Sequence, residues 1–188
     1  MPSSNRLPWA ISEVCAPWIS NIVLFLALGI HCHQVGVGTL CALFTSILPM
    51  AWILALKHQG RVNSHHVTER SQRGLIFAGI AILLATLIGL LLRLGADPLI
   101  WRAVCAALGF ITLFALVTGA LKFKISVHVG LWLTVMGYLA IVVHPAWWAL
   151  FFLAPAVAWA RVQVSHHTWR ETAGGAIAGL LVLGCALL

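Results

Sequence analysis

Apolar segments follow one another along almost the whole chain, at about residues 9–31, 36–56, 75–95, 98–120, 127–143, 146–160 and 172–188. Most of them reach the roughly 20 residues that a helix needs to cross a hydrocarbon core of about 30 Å. Lipid offers no hydrogen-bond partner to an open backbone, so segments of this kind must be helices. The expected fold is all-α, a polytopic transmembrane helix bundle with six or seven spans and a site at one membrane face. The segment at 146–160 is short for a crossing and carries Pro155, which leaves the count between six and seven. Hydrophobic residues make up 62% of the 188 residues, more than a soluble core of this size buries. A soluble globular protein is therefore excluded, and residues 1–188 read as a single transmembrane domain.

Cysteine usage adds little chemistry. Cys15, Cys32, Cys41, Cys105 and Cys185 lie in or beside apolar segments, never as C-x-x-C, and read as small buried hydrophobes. The opening stretch is interrupted by Glu13 and Pro17 and has no small-residue cleavage site, so it reads as the first span and not as a removed signal peptide.

A net charge of +7 would suit nucleic acid if it formed a stripe, but the basic residues are scattered at the ends of spans. With seven crossings, Arg6, Lys57, Arg61, Arg70, Arg73, Lys122, Lys124, Arg161 and Arg170 fall on one face, and only Arg93 and Arg102 on the other. The positive-inside rule puts the basic face in the cytoplasm. A bacterial plasma membrane with a cytoplasmic site is the expected setting, with no nucleic-acid partner. The oligomeric state is left open.

The same face collects His58, His65, His66, His128, His166 and His167. Ionisable groups at membrane depth are costly, which makes them functional candidates. They fall into three clusters, "NSHHVTERSQRG", "KFKISVHVG" and "ARVQVSHHTWRET". An even number of spans separates each cluster from the next, so all three can meet. In the third, His167 and Glu171 are spaced i,i+4, as side chains sharing one helical face are, and the carboxylate can then fix the imidazole tautomer. An oriented imidazole is a nucleophile, and it needs cations to neutralise its electrophile. Arg73 and Arg161 suit the bidentate recognition of phosphate oxygens. His128, at the mouth of its span, suits the protonation of a leaving alkoxide. Gly174, Gly175 and Gly179 read as a small-residue face for close helix packing. His65 and His166 read as loop residues, and Lys124 stands close enough to Ser126 to help attract an anion.

Taken together, the clusters resemble the three-part signature of the type 2 phosphatidic acid phosphatase family, membrane enzymes that share their site with vanadium haloperoxidases. The family pattern is K-x6-R-P, then P-S-G-H, then S-R-x5-H-x3-D. Here the chain has His66-x6-Arg73-Gly74, then Ile125-Ser126-Val127-His128, then Ala160-Arg161-x5-His167-x3-Glu171. The resemblance, over about residues 57 to 179, implies phosphate binding by His66, Arg73, Ser126 and Arg161. It further implies His128 as general acid, His167 as nucleophile and Glu171 as its orienting partner, with no cofactor and no metal. The implied activity is hydrolysis of a lipid phosphomonoester, on a polyprenyl-linked phosphate or sugar phosphate or a phospholipid phosphate. Departures are Glu171 for Asp, His66 for Lys with Arg70 as a substitute cation, Gly74 for Pro, and Val127 for Gly.

Three other readings compete. A polyprenyl pyrophosphate phosphatase would carry its site on the outer face. A histidine-box metal-dependent lipid oxidase would need H-x-x-H-H or H-x-x-x-H spacing, and neither occurs. A non-catalytic member would bind lipid phosphate without turnover.

Overall fold

The computed structural model describes residues 6–62 and 73–188, with Arg73 described by its backbone alone. Helices joined by short turns and loops make up the described residues, with no strand among them. In chain order the α-helices are α1 (Arg6–Val14), α2 (Pro17–His31), α3 (Val35–Ala42), α4 (Leu48–His58), α5 (Arg73–Leu94), α6 (Pro98–Gly119), α7 (Val127–Val142), α8 (Trp148–Phe151), α9 (Ala154–Gln163) and α10 (Trp169–Leu187). A π-helical turn, Leu43–Ile47, joins α3 to α4, and a 3-10 turn, Pro145–Trp147, leads into α8. Among the described residues, six stretches are long and apolar enough to cross a membrane: 6–31, 35–58, 74–94, 98–119, 145–163 and 169–187. The protein is an integral membrane protein built as an all-α polytopic bundle.

The seventh apolar helix is α7, and it reverses one expectation about length. The stretch expected to be short, 146–160, belongs to a 19-residue helical run, Pro145–Gln163. Pro155 sits in the first turn of α9, where its missing N–H is no loss, so it begins a helix after the turn at Phe152–Leu153 and kinks none. The short helix is α7 itself, with 16 residues, or about 24 Å at 1.5 Å per residue. Its length is tolerable because it does not face lipid: every residue from His128 to Ala140 is buried. A helix that is apolar all round belongs inside a bundle.

α7 is accordingly the hub, packed against α2, α8, α9 and most closely α10. Apolar burial gives little driving force between helices in lipid, so close packing and interhelical hydrogen bonds must hold them. Glycines supply the close packing. A Cβ on Gly179 would collide with the Gly130 backbone, and one on Gly175 would lie 3.1 Å from Ser126 N and C. Thr134 Oγ1 bridges the same seam, donating towards Gly179 O at 2.9 Å and Gly130 O at 3.0 Å. Trp132 Nε1 donates to Leu150 O at 2.8 Å and Tyr138 Oη to Leu99 O at 2.9 Å, tying α7 to α8 and α6.

At the other end of the bundle, Gln34 donates to Gly95 O and accepts from Asp97 N at 2.9 Å, so the α2–α3 and α5–α6 turns are clamped together. The first span is broken at Cys15–Ala16, where Pro17 starts α2. Its leading arm, α1, packs on α9.

Candidate active site at the head of the central helix

The third cluster is a corner between α9 and α10. After Gln163 the chain turns through Ser165, whose φ of +57° is in the left-handed region. The N–H groups of His166 and His167 then both donate to the carbonyl of Arg161, each at 3.2 Å. The spacing of Arg161 to His167 is therefore set by one turn that folds the second residue back over the end of the first residue's helix.

Immediately afterwards Thr168 caps α10. Its Oγ1 accepts from Glu171 N at 3.3 Å, while Glu171 Oε2 accepts from Thr168 N at 2.9 Å. This reciprocal capping box satisfies two donors that a helix start otherwise leaves open. Glu171 Oε2 also lies 3.1 Å from His167 Nδ1. A carboxylate only accepts, so Nδ1 carries the proton, which in the neutral imidazole leaves the lone pair on Nε2. His167 precedes the helix, so the pair spans the helix cap and does not ride on one helical face as the i,i+4 spacing suggested.

Arg161 is 1% exposed, and its Nη1 donates to Ser12 Oγ of α1 at 2.6 Å. A buried guanidinium is costly without strongly polar or anionic complements. Ser12, itself buried, is one such complement, supplied by the arm that the break at Cys15–Ala16 releases.

The second cluster joins the third through backbone and side chain. Ser126 N donates to Glu171 O at 3.0 Å, a contact that Gly175 permits by lacking a Cβ. Lys124 Nζ donates to His166 O at 2.7 Å. Ser126 is the N-cap of α7, yet its side chain makes no capping bond. Its buried Oγ meets no hydrogen-bond partner among the described residues. A helix start with a spare hydroxyl suits an anion.

His128, Arg161 and His167 all line one cavity of about 170 Å³. The rest of its lining is mostly apolar and includes Ile53, Phe77, Leu84 and Phe110. The structure thus gathers His128, His167 and Arg161, with Glu171 behind His167 and Ser126 bonded to the Glu171 backbone. His66 and Arg70 lie outside the described residues, as does the side chain of Arg73, which is placed only as the first residue of α5.

Two participants escape the sequence motifs. Thr168 was legible, because Thr-x-x-Glu before an apolar run is a capping signature. Ser12 had no local signal, being 149 residues from Arg161. No family model matches the chain, and no curated protein or solved structure matches it either.

Proposed function

We propose that the protein is a membrane lipid phosphate phosphatase acting on a phosphomonoester through a phosphohistidine. The carrying observation is that His128, His167 and Arg161 line a cavity whose remaining walls are mostly apolar. Such a cavity fits a molecule with an anionic head and a hydrocarbon body.

In the proposed reaction the Nε2 lone pair of His167 attacks phosphorus in line. The bond from phosphorus to the lipid oxygen breaks, and that oxygen takes a proton from His128. Water then attacks the phosphohistidine and gives its proton to His128 while the P–N bond electrons return to Nε2, which frees inorganic phosphate and restores both imidazoles. Arg161, Ser126 and the start of α7 stabilise charge on the equatorial oxygens, with Arg73 and His66 as further phosphate ligands by the family resemblance. A cytoplasmic site follows the distribution of basic residues and favours a substrate made in the inner leaflet.

Phosphate release from lipid phosphates by the purified protein, with wild type beside His167→Ala, tests the reading. The expected result is release by the wild type and loss of at least about a hundredfold in the variant. Near-normal turnover by His167→Ala would overturn the mechanism. Binding without turnover by the wild type would leave only the non-catalytic reading.

A further inference from the structure

The apolar part of the cavity is not uniformly apolar. Asn21 of α2 and Thr45 and Ser46 of the π-helical turn also line it. Their hydrogen bonds account for only part of their capacity. Pro49 in the first turn of α4 has no N–H, and a proline withdraws a donor from the carbonyl one turn earlier. Thr45 O is that carbonyl, and Asn21 Nδ2 donates to it at 3.1 Å. Thr45 Oγ1 turns back to Cys41 O at 2.8 Å. Two buried atoms are left, Asn21 Oδ1 and Ser46 Oγ, and neither meets a partner among the described residues. Ser46 is fully buried. The π-turn is what carries it: i→i+5 turns are rare and concentrate at functional sites. Here the turn sets two successive hydroxyl residues in an otherwise apolar wall.

Unsatisfied polar atoms in an apolar wall are unfavourable, and a hydrocarbon lying over them leaves them so. Asn21 Oδ1 needs a donor, whereas Ser46 Oγ can give or take a proton. An ester oxygen only accepts and cannot serve Asn21. We propose that this pair is a specificity subsite for a lipid phosphate whose backbone bears a hydroxyl, a group that donates to Asn21 Oδ1 while accepting from Ser46 Oγ. The inference rests on the phosphatase reading for the position of the head group, and it names the substrate class: a hydroxylated long-chain phosphomonoester, not a prenyl phosphate with a pure hydrocarbon body. A site built to bond a hydroxyl discriminates against the analogue lacking it far more strongly than an apolar pocket discriminates against one methylene.

Two measurements keep the two ideas apart. Phosphate release from any lipid phosphate tests the phosphatase reading. The subsite is tested by affinity, using chain-matched, non-hydrolysable phosphonates with and without the backbone hydroxyl, and a prenyl phosphonate, each titrated against the full-length protein in detergent micelles. The expected result is at least about tenfold tighter binding of the hydroxylated member, with Ser46→Ala and Asn21→Leu each narrowing that ratio. Equal or absent binding of the wild-type pair overturns the subsite whether or not phosphate is released, and needs no variant to fold. A ratio unchanged in both folded variants overturns the assignment to these residues.

Discussion

One carboxylate oxygen of Glu171 holds two partners: His167 Nδ1 at 3.1 Å and the Thr168 N–H at 2.9 Å. The first bond sets the imidazole tautomer, and the second fastens the start of α10. This double use gives a reason for glutamate where the family pattern has aspartate, since a capping box needs an N3 side chain long enough to reach back to the N-cap.

Substitutions at this position should therefore separate the two roles. Glu171→Gln can retain the box but loses the charge, and phosphate release should fall by at least about a hundredfold with little change in thermal stability. Glu171→Asp keeps the charge but shortens the reach, and should lose about 0.5–2 kcal/mol of stability through the cap. An aspartate variant matching wild type in both melting temperature and rate would show that the double use has no consequence.

Arg161 should tolerate neither Ala nor Lys. Removing a charged contact to a transferring phosphoryl group typically lowers the rate by about 10²–10³, and lysine lacks the planar fork. Ser12→Ala keeps the guanidinium and removes one of its hydrogen bonds, so a smaller loss is expected, rescued by Ser12→Thr. Equal rates for Ser12→Ala and wild type would remove α1 from the site.

The glycine seam makes a stability prediction with an internal control. Gly179→Ala drives a Cβ into the Gly130 backbone, an overpacking that typically costs about 1–3 kcal/mol. A Cβ added at Gly184 of the same helix meets nothing within 4 Å, so Gly184→Ala should be near neutral. Thermal unfolding in one detergent compares them, and similar shifts for both would contradict the packing.

Sidedness can be read from Cys32, in the turn at the opposite end of the bundle. Burial, reinforced by the Asp97 carboxylate beside it, pushes its thiol up to about 11. The reactive thiolate is therefore scarce near neutrality and grows as pH rises towards that value. With Cys32 as the sole cysteine, an impermeant maleimide should label intact cells slowly at pH 7, and faster as the pH is raised or in Asp97→Asn. Labelling confined to opened membranes would place this end inside and the site on the outer face.

The third motif is legible in the sequence because its partners are close in the chain. The turn between Arg161 and His167, and the cap that follows, are local structures whose residue spacing is also their geometry. The i,i+4 spacing of His167 and Glu171 misleads in one respect, since spacing alone does not distinguish a helix interior from a cap; only the Thr-x-x-Glu signature at Thr168 does. Span lengths are less legible for a related reason. Hydropathy reports how greasy a segment is, whereas whether α7 faces lipid or protein depends on the helices around it.

By itself the sequence determined a helical membrane bundle, because a long apolar segment has no other way to satisfy its backbone in lipid. It also marked the cations and imidazoles at membrane depth as functional candidates, because ionisable groups there are costly. Only the tertiary structure decided that the shortest apolar span would be the buried hub, that Ser12 would hold Arg161 across 149 residues, and that Asn21 and Ser46 would share a cavity with His128 and His167. Those outcomes depend on glycine contacts and hydrogen bonds between segments remote in the chain, and no local periodicity encodes them.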